Sequence, residues 1–299
     1  MNEDPSGKPE DAEPSGPGQP GGWGAPIPPA YYAGPADPLV SADFAGWWSR
    51  SFALLRAAWR PMAAIQLITT VPTTAVTVAV GLTIARQPDG LASTTDPSRL
   101  DFRAAFAPFL ATAPVVLVSA LFGLVVPLAM TQVLVQTVTG RPVSIGAALL
   151  AGLRRVLPML GWGLLGGLIV LVGFLFCILP GIFVAAALAV LPVIVLLERG
   201  NGIGRAFQLF GADTGASIGR LAAMFGLAVA VAVAEFAAST VIEAGAAAGP
   251  AALPMVLSAL ISGTFSVASG ILFAPMYLTT YADMRARHEP FSTAYLVAA

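Results

Sequence analysis

Between Pro61 and Tyr281 the chain is a succession of long apolar runs, and basic residues are kept out of them. All fifteen Lys and Arg fall at the ends of the runs, between them, or in the N-terminal tail. About 20 apolar residues suffice to cross a hydrocarbon core of about 30 Å, and in lipid a helix satisfies its own backbone polar groups. The predicted fold class is therefore all-α, a polytopic membrane protein. Only 10% of residues are charged and 57% are hydrophobic, against about 25% charged in soluble domains, so the chain lacks the polar surface to coat a soluble core of this size.

Six transmembrane helices are expected, near 62–85, 107–137, 157–179, 181–197, 221–246 and 252–281. Pro180-Gly181 separates the third from the fourth as a helix stop in a tight turn. Gly249-Pro250 separates the fifth from the sixth. Pro72, Pro114, Pro127, Pro192, Pro254 and Pro275 should kink their helices, which membrane spans tolerate. Residues 1–41 are crowded with Pro, Gly, Ser and acids and should form a disordered tail, since they bury too little to offset chain entropy. Pro28-Pro29-Ala30-Tyr31 has the spacing of a ligand for proline-binding modules, but in a tail this Pro-rich it is expected by chance. The first residues are acidic and not basic-then-apolar, so no cleavable signal peptide is expected and the first span should act as the targeting signal.

Charge orients the bundle. Arg50, Arg56 and Arg60 precede the first span; Arg141, Arg154 and Arg155 lie between the second and third. Arg199, Arg205 and Arg220 lie between the fourth and fifth, and Arg285 and Arg287 follow the last. With Lys8 that makes twelve, against Arg86, Arg99 and Arg103 on the other side. The positive-inside rule places both termini in the cytoplasm.

Residues 43–60 read as an amphipathic helix. Phe44, Trp47, Trp48, Phe52, Leu54, Leu55 and Trp59 share one broad face and the arginines lie opposite, which suits the membrane interface. Similar short helices are expected near 144–156 and 202–212, each ahead of a pair of spans. The pattern implies a threefold pseudo-repeat of interfacial helix plus transmembrane hairpin, all with the same sidedness, unlike the inverted repeats of many transporters. The membrane domain then covers 42–290, and 291–299 is a short cytoplasmic segment.

Within the spans, Glu235 is the most pointed residue. An ionised acid at mid-membrane costs about 3 kcal/mol on insertion scales, and no span offers Lys, Arg or His to pair with it. Ser258, Ser262, Ser266 and Ser269 fall on one face of the sixth span, with Ser266 at the depth of Glu235 and Ser258 level with Glu243. The stripe is expected to pack on the fifth span and satisfy both acids. Structurally, Glu235 would be a protonated acid fixing a helix pair; functionally, it would be a proton or cation site in a wet cavity. A second stripe, Gln66, Thr70, Thr73, Thr74 and Thr77, fits threonines bonded back to their own helix. Gly163-x-x-x-Gly167 fits close helix packing. Cys177, the single cysteine, is expected to be a buried small hydrophobe.

Little points to catalysis. His288 is the only histidine, no Cys/His metal spacing exists, and no glycine-rich loop has nucleotide-binding form. No catalytic, cofactor-binding or metal-ligating residue is expected. Asp283, Arg285, Arg287 and Glu289 cluster below the last span, where a solvated helix end with local ion pairs is expected; they offer no nucleophile. The net charge of −1 gives no electrostatic case for nucleic acid.

Two segments resemble a bacterial family of integral membrane proteins named after the membrane domain attached to some glycerophosphodiester phosphodiesterases. One is Tyr281-x-Asp283-x-Arg285-x-Arg287-x-Glu289. The other is Pro180-Gly181-Ile182, then Leu191-Pro192-Val193 through Glu198 to Ala206, after which Phe207-Gln208-Leu209 departs from the family pattern. The resemblance covers about residues 42–290. It implies membership and no chemistry: stand-alone members mostly lack an assigned activity, and a hydrolase barrel would need about 200 further residues. The function expected is a non-enzymatic scaffold or accessory subunit in the bacterial cell membrane, with the bilayer and an unidentified membrane or cytoplasmic protein as partners. The alternatives are a carrier or channel for a lipid, small solute or ion using the Glu235 region and, least supported, a membrane enzyme.

Overall fold

The computed structural model describes residues 31–85, 102–246 and 252–298. The tail to residue 30, the loop carrying Arg86 and Arg99, and Gly249-Pro250 lie outside these residues. The described residues form ten helices and no strand: α1 (Phe44–Ala85), α2 (Phe102–Val138), α3 (Ile145–Arg154), α4 (Val156–Phe176), α5 (Ile178–Leu188), α6 (Leu191–Leu197), α7 (Gly202–Ala212), α8 (Thr214–Ala246), α9 (Ala252–His288) and α10 (Thr293–Ala298). Counting α5 with α6 as one, six helices are long and apolar enough to cross a membrane. The all-α, six-span reading of the sequence stands.

Helix length decides where the core can form. At 1.5 Å per residue the 42 residues of α1 extend about 63 Å, twice the hydrocarbon thickness. Helices α2, α8 and α9 also exceed what a bilayer needs. Their surplus turns meet at one end of the bundle, and there the core lies. Trp47, Met62 and Ile65 of α1, Leu128 and Leu134 of α2, Phe210 of α7, Met224 of α8 and Tyr281 of α9 are all buried. Toward the other end the helices turn large apolar side chains outward, as Leu110, Leu175, Phe176 and Phe236 do. That is the pattern of a surface made for lipid.

The first short helix is not a separate element. Helix α1 runs from the Trp/Arg segment through Pro61 into the span. Its aromatic face also divides. Trp47, Ser51, Leu54 and Ala58 form a buried edge continued by Met62 and Ile65, while Phe44, Trp48 and Trp59 stay exposed. Trp47 Nε1 donates to Thr280 Oγ1 at 3.1 Å, and Ser51 Oγ lies 2.8 Å from Thr279 Oγ1, so the buried edge seats on α9. By contrast α3 and α7 are distinct helices, capped by the side chains of Ser144 and Asn201, which accept from the amides of Ala147 and Gly204. The three units are thus unequal, and the threefold repeat is not established.

The third and fourth spans part at Cys177, not at Pro180-Gly181. Cys177 is extended (φ −170°, ψ 148°) and α5 begins at the next residue. Pro180 then sits in the first turn of α5, where a proline forfeits no intrahelical hydrogen bond. Gly181 is needed for contact, not for stopping: a Cβ there would lie 2.5 Å from Phe174 Cγ, and one on Gly173 would lie 3.0 Å from the Gly181 Cα. Cys177 is exposed at this turn, contrary to expectation, because the turn lies outside the core. Gly163 and Gly167 have nothing within 4 Å of their missing Cβ atoms, so they bring no helices together; Gly166 meets Leu188 instead. The threonine stripe does bond back, Thr73 Oγ1 to the Thr69 carbonyl and Thr77 Oγ1 to the Thr73 carbonyl, both at 2.8 Å.

From residue 31 the chain lies as a strap across the end of the bundle. Leu39 and Ser41 are buried. Asp37 accepts from the amides of Leu39 and Val40 and, from α10, the Thr293 amide and hydroxyl, each at 2.8–3.0 Å. Arg50 holds the strap from below by donating to the carbonyls of Pro35 and Asp37. Enough partners lie within reach to offset the ordering cost that the composition suggested would win. The segment after residue 290 is likewise packed, with Phe291 and Leu296 buried.

Candidate functional site

The packed end of the bundle holds two clusters of charged side chains. Both grow from the last turns of α9, where a spacing of four residues puts Tyr281, Arg285 and Glu289 on one line and Asp283 and Arg287 on another.

In the first cluster Glu198, just past α6, accepts from Tyr281 Oη (2.6 Å) through Oε1 and from Arg205 Nε (2.7 Å) through Oε2. Arg205, on α7, also reaches Glu289 Oε1 at 2.6 Å. Arg285 donates to the same Glu289 oxygen at 2.5 Å and to Tyr281 Oη at 2.9 Å. Its guanidinium lies over the rings of Phe291 and Tyr295, 4.7 and 4.4 Å from their centroids, a favourable cation–π placement. Two acids and two arginines thus tie α6, α7, α9 and α10 together. Burial pushes the Glu289 carboxyl upward, but the hydrogen bonds and charges of Arg285 and Arg205 outweigh it and hold the group below its usual value. Burial likewise lowers Arg205, yet Glu198 and Glu289 raise it on balance.

In the second cluster Asp283 is 0% exposed. It accepts from the Ser41 amide at 2.5 Å and the Ser41 hydroxyl at 2.7 Å, and it pairs with Arg220 Nη2 of α8 at 2.9 Å. Arg220 is 2% exposed, and its Nε has no partner among the described residues. Nearer the surface Arg287 pairs with Asp213, between α7 and α8. Asp213 is held below the ordinary aspartate range, first by the Ala216 amide it accepts and then by Arg287. The expectation of a solvated charged helix end is corrected here. Asp283 and Arg285 are buried because the strap, α7, α8 and α10 close over them, and no local periodicity announces those partners.

Of the residues carrying the family resemblance, Glu198, Tyr281, Asp283, Arg285, Arg287 and Glu289 all belong to these clusters. Ala206 is buried on α7 beneath them. Pro180 and Gly181 lie elsewhere, at the α4–α5 turn. The sequence reading missed Ser41, Asp37, Arg220 as a partner of Asp283, and Arg205 as the bridge between Glu198 and Glu289. No helical periodicity could announce the last, because Glu198 lies past the end of α6 and Arg205 on α7.

The intramembrane site is not assembled as expected. Glu235 is half-buried and Glu243 exposed on α8; Ser262 and Ser266 are exposed, and Ser258 and Ser269 half-buried, on α9. Among the described residues no hydrogen bond joins either acid to a serine. The close face of α9 is instead its glycine face. A Cβ on Gly263 would lie 3.0 Å from Thr74 Oγ1 of α1, and Gly270 lies under Gln66.

Chemically, the clusters hold carboxylates already engaged by guanidinium groups, without a paired nucleophile and base. No group of His, Cys, Asp or Glu among the described residues could hold a metal ion. Compared with protein-family models, with curated proteins and with solved structures, the chain matches none.

Proposed function

We propose that the protein is a non-enzymatic integral membrane protein of the bacterial cell membrane that works by interaction, as a scaffold or accessory subunit, with both termini in the cytoplasm. The observation that carries this reading is the closure of the packed end. Strap, α7, α9 and α10 are bonded into one platform, and the acids that catalysis would need are spent in holding it together. A rigid platform that gathers residues 31–41 and 291–298, with an acidic, Pro-rich sequence ahead of it, suits recognition by another protein. The basic residues concentrated at this end support the orientation. Membership of the resembled family is part of the same proposal; in its favour, six residues that carry the resemblance converge in these clusters.

The test is crosslinking in native membranes followed by native mass spectrometry, with the full chain and with a chain lacking residues 1–30, which keeps the strap. A recurrent protein partner at fixed stoichiometry is expected, weakened by the deletion. Absence of any such partner, together with solute or lipid flux by the purified protein in liposomes, would overturn the reading. Flux belongs to the second reading, a carrier, which one observation favours: an apolar lateral groove of about 540 Å3 between α5 and α8, walled by Phe183, Phe225 and Tyr277. Glu235 does not border it.

A further inference from the structure

A separate pocket opens on the far side of Glu198 and Arg205. It has a volume of about 620 Å3 and lies between the start of α4, the end of α6 and the first turns of α7. Its wall carries three arginines, Arg155, Arg199 and Arg205, against the single acid Glu198. Arg205 and Glu198 are committed to the first cluster. Among the described residues Arg155 and Arg199 make no ion pair and no side-chain hydrogen bond. The pocket therefore presents two uncompensated guanidinium groups, the side chain that forks most readily onto phosphate oxygens.

Its position supplies the second half of the argument. Arg155 immediately precedes the apolar helix α4, so it stands at the level where headgroups begin. Trp162, one and a half to two turns further on, lines the pocket at a depth where indoles settle between chains and headgroups. Toward the face of α4 that carries Arg155, Pro158 and Trp162, Leu165 is 46% exposed and Val172 is 41% exposed. A lipid lying against these two side chains would bring its headgroup to Arg155. Basic residues at such a surface attract anionic lipid.

We propose that this pocket binds the phosphate of an anionic phospholipid, with Arg155 and Arg199 on the phosphate oxygens and the acyl chains along Leu165 and Val172 of α4. The glycines of the segment are accounted for by the fold, since Gly200 has φ +123° and Gly204 lies under the Asn201 cap. The arginines are not.

The full-length protein in a non-ionic detergent is titrated with phosphatidylglycerol, with phosphatidylcholine and with inorganic phosphate, and bound lipid is counted by native mass spectrometry. Phosphatidylglycerol is expected to bind about tenfold tighter than phosphatidylcholine, and Arg155→Gln with Arg199→Gln to remove about that factor. The control Arg56→Gln with Arg60→Gln carries the same charge change on α1 and should bind as the wild type does. Should the double variant fail to fold, Arg199→Glu alone, at an exposed position, should still weaken binding severalfold. Equal binding of the two lipids, or equal loss in the α1 control, would overturn the proposal. So would displacement of the lipid by submillimolar phosphate, which would make the site one for a soluble anion.

Discussion

Asp283→Ala should be among the most damaging single substitutions in the packed end. The side chain is wholly buried and makes three polar contacts, two with Ser41 and one with Arg220. Its removal frees the strap, which can return to water at modest cost. It also strands Arg220, 98% removed from solvent, without the one acid that bonds to it and with Nε already lacking a partner among the described residues. Breaking a buried pair in this way costs about 3–5 kcal/mol, mostly for the uncompensated charge. Replacing both partners by apolar groups removes that penalty, so Asp283→Leu with Arg220→Met should recover to within about 1 kcal/mol of the wild type. The assay is reversible unfolding in mixed micelles of rising dodecyl sulfate fraction, followed by helical ellipticity, for the wild type, both single variants and the double. The cycle isolates the pair. A loss below about 0.5 kcal/mol in Asp283→Ala would mean the pair is not buried as described. A double variant as weak as the single would mean the stranded charge is not the cause.

Four further outcomes follow from the packing. Tyr281→Phe removes a hydroxyl shared between Glu198 and Arg285 and should cost about 1–3 kcal/mol in that assay, because buried charged groups lose a partner. Lowering the pH should weaken the first cluster. Glu289 has a folded-state value below its usual 4.5, so its contribution is present above that pH and is lost as pH falls through the depressed value; Glu289→Gln should flatten the acid limb of a stability-against-pH curve. Gly152→Ala should destabilise by about 1–3 kcal/mol, since the new Cβ would lie 2.9 Å from the Val125 carbonyl oxygen and 3.2 Å from the Ala129 nitrogen, both backbone atoms of α2. Gly161→Ala, which meets only open space on α4, should be neutral or stabilising by up to about 1 kcal/mol, and thermal melting of the pair of variants distinguishes the two sites.

What the sequence made legible is what one helix can state alone. Spans follow from apolar runs of sufficient length, and α3 and α7 from the recurrence of a short helix ahead of each pair of spans. The continuity of α1 was hidden because a Trp/Arg segment ending at Pro61 has the signature of an interfacial helix, while a membrane helix can carry an internal proline. The turn at Cys177 was displaced by three residues because proline marks the first turn of a helix as readily as its end. The candidate clusters were half legible. Four-residue spacing from Tyr281 to Glu289 aligns one side of the network, but Glu198, Arg205, Arg220 and Ser41 come from elements far away in sequence. Ser41 was further masked by a Pro- and Gly-rich composition that argues against order. Glu235 drew attention through the cost of a charge in lipid, a real energy that says nothing of which neighbour meets it.

Residues 31–41 and 291–298 are fastened into one closed platform at the packed end of a membrane bundle. Amide hydrogen exchange on the protein in lipid nanodiscs tests it most directly, because the Ser41 amide is bonded to Asp283 and the Thr293 amide to Asp37. These two amides should exchange as slowly as the last turns of α9, and Asp283→Ala should release Ser41 first. Exchange of residues 39–41 and 293 at the rate of an unstructured chain would contradict it.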